Sequence, residues 1–460
     1  RIKASKIGDV IVGETEVFNG VTYKFTDDAT IAADIGGIDA TNNVVTTLVT
    51  NMESLFNGNG TFNEDISSWD TSNVTNMNFM FQGAAVFDQD ISYWNTSSVT
   101  QMLHLFNGAT AFNQPIGSWD VSQVGSMFLL FAAASNFNQD LSSWDTSNVA
   151  NMALMFVNAG SFNNGGVSAL PWNTSSVTNM SLMFENALLF NADISTWTTS
   201  SVTNMDSLFK NAPLFNQDIS GWNTSSVTNM KSVFQGASAF NQDISSWNMT
   251  SVTTVQNMFD GATAFNNGGN ALTWTTTSLT NIGGAFLNAT SFNQDISSWD
   301  VTGVTSTYSA FDGASAFNNG GNALTWTTSS LNDMGRAFAG ASVFNADISS
   351  WDVSQVTSLF ATFSGAGAFN QDIGVWNTQN VNSMRETFND ATSFNVDIGG
   401  WDVSDVSGVY DMDFMFNGAT SFNQDLTKWC VTDIPSEPVN FASGSALANL
   451  NKPVWGTCPP

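Results

Sequence analysis

The chain has 460 residues, 42% of them apolar, with 37 Phe and 16 Trp, so it can bury a sizeable core. Ten Lys and Arg against 39 Asp and Glu give a net charge of −29, which excludes nucleic-acid phosphate as a natural partner and disfavours anionic membranes. No apolar run is long enough to span a membrane, and a chain that opens on Arg1 reads as a processed mature protein or a piece of a longer one.

Residues 1–37 carry mixed charges, among them Lys3, Lys6, Glu14, Glu16 and Lys24, as suits a polar cap over the end of a repeat array. A first, degenerate repeat follows, with Thr50-Asn51-Met52 in phase and Ile38 standing where Trp belongs. From there Trp69, Trp94, Trp119 and Trp144 begin a series that continues at a period of about 25 residues to Trp429. A fixed period of this length predicts a solenoid over residues 38–429, because each unit is too small to bury its apolar side except against its neighbours. Residues 430–460 form a terminal cap.

One unit, FNEDISSWDTSNVTNMNFMFQGAAV from Phe62 to Val86, shows what each column demands. Phe62, Ile66, Trp69, Val74, Met77, Phe81 and Ala84 recur as apolar columns and form the core, each large side chain contributing roughly 1.5–3 kcal/mol on burial. Trp69 to Val74 reads as a strand that pairs with the next repeat, since Thr71, Val121 and Val301 alternate in a β-branched column. Thr75 to Gly83 reads as a short helix with Thr as N-cap and Met77, Met80 and Phe81 on one face. Its closing column, Gly83, Gly108, Asn158, Asn186, Asn211 and Asp390, holds residues that tolerate a left-handed terminus, with Ala133 the departure. The expected fold is thus leucine-rich-repeat-like, with one short parallel strand and one helical turn per repeat. The Asn-Asn-Gly-Gly segments at Asn163, Asn266 and Asn318 are turns that bulge out without breaking the array.

The column four residues before Trp holds Asp65, Asp90, Asp140, Asp193, Asp218, Asp243, Asp295, Asp347, Asp372, Asp397 and Asp425, with Pro115 as its substitution in an uninserted repeat. A column that rejects Asn asks for negative charge. Carboxylates stacked about 5 Å apart repel unless each accepts backbone N–H groups or a cation such as Ca²⁺ is shared. Local backbone bonding is preferred, because the repeat lacks several acidic ligands at alternate positions; no metal or cofactor is otherwise called for. The neighbouring Asn63, Asn113, Asn138, Asn191, Asn216, Asn241 and Asn293 read as an internal ladder.

Catalytic chemistry has little to work with. His104, the sole histidine, falls in the predicted helix of one repeat, in a place where others carry residues such as Met80 or Ser207. No nucleophile has a histidine base and no glycine-rich loop cradles phosphate. The chain is not expected to be an enzyme.

The repeat consensus FNQDISSWDTSNV with VTNMxxxF, running from Phe62 to Trp429, resembles the repeat of BspA-like leucine-rich-repeat bacterial surface proteins. The tail KWCVTDIPSEP with PVWGTCP resembles the cap that closes such arrays in marine bacteria. The resemblance implies an exported or surface-exposed solenoid acting in adhesion. Cys430 and Cys458 are the two cysteines of the chain; paired, they would close a loop over the end of the array and stabilise it by about 3 kcal/mol, the alternative being two unpaired thiols. A disulfide would place the chain outside the cytosol, and the acidic surface suits a saline setting. The leading functional expectation is an adhesive scaffold that binds surface proteins, glycans or copies of itself. A filament subunit is the alternative, and ice binding through the Thr71 and Ser72 columns is a minor third.

Overall fold

The computed structural model describes residues 11–18, 20–35, 43–408 and 410–459. They divide into two compact units, Arg1–Trp222 and Asn223–Pro460. Lys3, Lys6 and Ile38, which the sequence assigns to the cap and the degenerate repeat, lie outside the described residues.

The first unit opens with a three-stranded sheet: β1 (Thr15–Phe18), β2 (Val21–Phe25) and β3 (Val44–Val45). β1 and β2 run antiparallel, with Thr15 opposite Lys24 and Phe18 opposite Val21 across a turn at Gly20, whose φ of 78° suits a residue without a Cβ. β2 pairs in parallel with β3, Lys24 opposite Val44, and the one-turn helix α1 (Ile31–Asp34) lies between them in sequence. Phe25, Ile31, Val44, Val45 and Val49 are buried, so the sheet begins the core on which the repeats continue.

Tandem repeats fill the rest of this unit. Phe81 stacks on Phe106 with ring centroids 5.6 Å apart and planes 1° from parallel, and Trp69 stacks on Trp94 at 6.3 Å. Phe81 also lies 4.1 Å from Phe87, so three aromatic columns share one interior. The indole N–H groups turn back to the previous repeat here: Trp94 Nε1 donates to the Ile66 carbonyl at 3.2 Å, Trp119 to Ile91 at 3.1 Å and Trp144 to Ile116 at 3.1 Å. A large apolar ring is thereby buried with its one polar atom satisfied.

The helix expected over Thr75 to Gly83 is not formed. The segment is a run of turns: Met80, Gln82 and Ala84 donate backbone N–H three residues back, to Met77, Phe79 and Phe81. The intervening amides leave the repeat altogether, Met77, Phe79, Phe81 and Gly83 donating to Gln101, Leu103, Leu105 and Asn107 at 2.7–3.0 Å. A two-turn helix would leave its first four N–H and last four C=O groups without intrahelical partners, whereas a neighbouring repeat supplies an acceptor for every second amide. Geometry agrees, since Phe79 has φ of 59°, and His104, Leu129 and Leu154 repeat it at 57°, 56° and 56°. Non-glycine residues hold that conformation at a cost of about 1–2 kcal/mol each, offset here by cross-repeat hydrogen bonds and ring stacking.

The strand expected over Trp69 to Val74 is likewise absent. Parallel bridging falls a few residues later, at Asn51, Asn76 and Gln101, and again at Ser126, Asn151, Asn179 and Asn204. The β-branched preference at Thr71 has another cause: the side chain is buried and its hydroxyl donates to the Asn95 carbonyl of the next repeat at 3.0 Å, as Thr96 does to Asp120 at 2.9 Å. At Asn163 the insertion forms a single turn of 3-10 helix, Asn164–Gly166, anchored by the buried Asn164, which accepts the Leu141 N–H and donates to the Ala169 carbonyl.

The second unit repeats these contacts. Thr307, Ser309, Phe311 and Gly313 donate to Asp333, Gly335, Ala337 and Ala339 at 2.7–3.0 Å, and Phe311 stacks on Phe338 at 5.5 Å. Bridges link Asn229, Thr254 and Asn281, then Ser306, Asp333, Ser358 and Ser383. The insertions at Asn267–Gly269 and Asn319–Gly321 form the same 3-10 turn. At the C-terminal end Phe441 meets Trp455 edge to face, and Cys430 is bonded to Cys458 with Cα atoms 4.0 Å apart. The cysteines are therefore a pair and not two free thiols.

Candidate binding face

Every carboxylate of the Asp column accepts a backbone N–H from two residues on. In the first unit Ser67 donates to Asp65, Ser92 to Asp90, Ser142 to Asp140, Ser195 to Asp193 and Ser220 to Asp218, each at 2.9 Å. In the second unit Ser245, Ser297, Ser349, Gly374, Gly399 and Thr427 donate to Asp243, Asp295, Asp347, Asp372, Asp397 and Asp425 at 2.9–3.2 Å. The Ser220 hydroxyl and then its N–H hold the Asp218 carboxyl below the ordinary carboxylate range, and Ser92 does the same for Asp90. Where the chain carries an insertion, Asn270 and Asn322 add an amide donor to Asp243 and Asp295. This is the geometry of an Asx turn, in which a short acidic side chain substitutes for a backbone acceptor. Among the described residues no three His, Cys, Asp or Glu side chains converge as a metal cluster.

The Asn column beside it runs between repeats. Asn63 Oδ1 accepts the Asp88 N–H at 2.9 Å and Gln89 Nε2 at 3.1 Å, and Asn113 accepts the Asn138 N–H and Gln139 Nε2 in the same way. In the second unit Asn241 and Asn293 accept the N–H groups of Asn266 and Asn318. Both columns are thus consumed in holding the chain to itself. The Thr71 column, buried and bonded inward, is not an outward array either.

His104 sits in the column of Phe79 and Ser207, not of Met80, and lies between rings, 4.8 Å from Phe79 and 5.4 Å from Phe128. Burial pushes its imidazole below the ordinary histidine range, and Nδ1 meets the Asn107 amide at 3.1 Å.

Among the columns that vary is an adjacent pair that the expected helix concealed. One runs Asn78, Leu103, Phe128, Ala153, Ser181 and Asp206 in the first unit and Lys231, Gln256, Gly283, Tyr308, Gly335, Phe360 and Arg385 in the second. Next to it are Phe79, His104, Leu129 and Leu154, then Ser232, Asn257, Gly284, Ser309, Arg336 and Glu386. Lys231, Tyr308 and Arg385 are exposed, and Leu103, Phe128, Gln256 and Asn257 are half-buried. Both units mix apolar and polar residues on this face, Phe128 and Asp206 in the first and Phe360 and Arg336 in the second, with Arg336 paired to Asp312 at 2.7 Å. The sequence signal was available as two columns of changing residue type beside the constant core columns.

A family model described as Mycoplasma protein of unknown function, DUF285, matches residues 20–128, 92–169, 165–272, 268–325, 319–429 and 404–453. The chain belongs to the DUF285 family. The six overlapping matches span nearly all of it, which agrees with the tandem repeats of both units. No curated protein and no solved structure matches. In this DUF285 chain the constant residues hold a turn together or hold one repeat to the next, and no helix among the described residues is long and apolar enough to cross a membrane.

Proposed function

We propose that this DUF285 chain is a non-enzymatic extracellular interaction scaffold, built as a BspA-like, leucine-rich-repeat-like solenoid. One observation carries the reading: the acidic column is bonded within its own turns and the amide and aromatic columns to neighbouring repeats, while two adjacent columns vary in residue type and bring side chains such as Lys231, Tyr308 and Arg385 to the surface. A catalyst concentrates perturbed acids, bases and nucleophiles in one cleft; a binding scaffold distributes varied side chains over a rigid frame. The Cys430–Cys458 pair supports an oxidising compartment. The net charge of −29 favours partners that are not polyanions.

The test is biolayer interferometry of the full chain against immobilised extracellular matrix proteins, glycans and whole bacterial cells. Saturable binding, weakened when Phe128 and Arg385 in the variable columns are replaced by Glu, supports the scaffold. Turnover in a panel of glycoside, ester and peptide substrates, or no binding to any of these surfaces, contradicts it.

A further inference from the structure

We propose that a hollow in the second unit, centred on Gly283, Gly284 and Tyr308, is a binding site for a neutral saccharide unit. This deepens the scaffold reading and rests on it by naming one place and one ligand chemistry.

The hollow, about 770 Å³, arises where the variable columns lose their side chains. In the outer column Tyr308 stands between two glycines, Gly283 and Gly335. A Cβ at Gly335 would fall 3.0 Å from Tyr308 Cδ2 and 3.2 Å from Cε2, so the ring rests against bare backbone on that side. Toward Gly283 nothing fills the space that Leu103, Phe128 or Phe360 occupies in its column elsewhere. Tyr308 keeps 47% of its surface exposed. Gly284 stands alone among the φ-positive residues of its column as a glycine, with φ of 62°, and a Cβ there would collide with Asn257 Oδ1. The glycine lets the Asn257 amide lie against the floor.

The lining is uncharged throughout. On a chain of net charge −29 that is a local exception, and it disfavours a charged ligand, for which no lining side chain carries a counter-charge. The side-chain amides of Gln256 and Asn257 make no hydrogen bond among the described residues, and Asn281 uses only Oδ1, for the Gly283 N–H at 2.9 Å, which leaves its Nδ2 free to donate. An amide offers a donor and an acceptor side by side, matching the adjacent hydroxyls of a sugar, each of which both donates and accepts. The Tyr308 ring supplies the apolar surface against which the C–H face of a pyranose packs. An aromatic platform flanked by amides, concave and uncharged, is thus fitted to a neutral saccharide.

The experiment is saturation-transfer NMR of the full chain with cellobiose, maltose, lactose and N-acetylchitobiose, with sialyllactose as the charged comparison, followed by calorimetry on the sugars that bind. We expect a neutral sugar to bind and Tyr308→Ala to weaken it about tenfold or more, while Tyr308→Phe, which keeps the ring, stays within about threefold. Gly283→Phe fills the hollow with a residue that Phe128 and Phe360 show the column accepts, and it should abolish binding with the melting temperature unchanged. Binding of sialyllactose alone, binding unaffected by Gly283→Phe, or no neutral sugar bound would each overturn the site. A parent chain that binds cells or matrix but no neutral sugar strikes this site and leaves the scaffold standing; one that binds neither sugars, cells nor matrix strikes the scaffold as well.

Discussion

Indoles of the Trp column join a buried ring to a single directed hydrogen bond, and among the described residues Trp376 lacks the second part. Trp376 Nε1 is buried without a hydrogen-bond partner, whereas Trp119 Nε1 donates to Ile91. Replacing Trp119 by Phe removes this bond, leaving the Ile91 carbonyl with the Trp94 N–H alone, and should cost about 1 kcal/mol more than the same change at Trp376, which breaks no such bond. Trp119→Ala should cost about 3–5 kcal/mol, as large aromatic truncations in packed cores do. Urea denaturation measures both, and equal costs for the two Phe variants would remove the indole bond from the account. The acidic residues add a pH dependence whose sign follows from their environments. Asp90, Asp218 and Asp425 are held below 3.8 by the hydroxyl, then the N–H, of the residue two positions on. A lowered folded-state pKa contributes stability that is present above the unfolded value and is lost as pH falls through the folded one. Asp260 acts in the opposite sense: burial raises its pKa, partly offset by Gln235, so its charge costs stability at neutral pH that protonation restores. The lowered group outnumbers it, so stability should decline below about pH 4, and Asp218→Asn should flatten that decline in an acid titration followed by fluorescence. A decline that begins near pH 6 would point to other groups.

At the scale of the element, the turn ribbon and the Asx turn replace the helix and strand that the repeat suggests. The core columns were legible because burial constrains residue type: Phe81, Trp94 and Ala84 recur since nothing else fills those volumes. The backbone was not, and the reason is physical. Met77, Met80 and Phe81 show helical spacing, yet a ribbon of turns with a left-handed residue at Phe79 also brings them to one side. Glycine would have announced that left-handed column, but the chain places Phe, His, Leu and Ser there, so it left no mark. The same misreading hid the variable columns and, with them, the hollow beside Tyr308. Gly283-Gly284, falling where other repeats carry side chains, was the one legible sign. For the Asp column, carboxylates satisfied within their own turns predict that EDTA leaves the melting temperature unchanged; a large fall reversed by calcium would mean that a shared cation is part of the fold. At the C-terminal end, reducing the Cys430–Cys458 bond should release up to about 3 kcal/mol of loop-closure stabilisation and lower the onset of melting without unfolding the first unit at ambient temperature. Identical melting curves with and without reductant would show that the bond constrains nothing.

At the scale of the molecule, the fold is set by how closely one repeat sits on the next. Hydrogen bonds from Met77, Phe79, Phe81 and Gly83 to the following repeat set a spacing of about 4.8 Å, that of neighbouring strands, whereas packed helices stand about 8–10 Å apart. That spacing brings variable side chains from successive repeats close enough to serve one ligand, as Gln256, Gly283 and Tyr308 do around a single hollow. Within the first unit Asn186 and Asn211 are equivalent residues of adjacent repeats, and Asn211 Nδ2 donates to Asn186 Oδ1 at 2.9 Å. A disulfide cannot bridge Cα atoms more than about 7 Å apart without backbone movement, so it reports this distance directly. In the doubly substituted chain, Asn186→Cys with Asn211→Cys, mild oxidation followed by mass spectrometry of tryptic peptides should find the two new cysteines cross-linked to each other, with the native Cys430–Cys458 bond intact. Two thiols that stay free and alkylate under the same conditions would contradict the account, because repeats held apart at helix spacing could not bring them together.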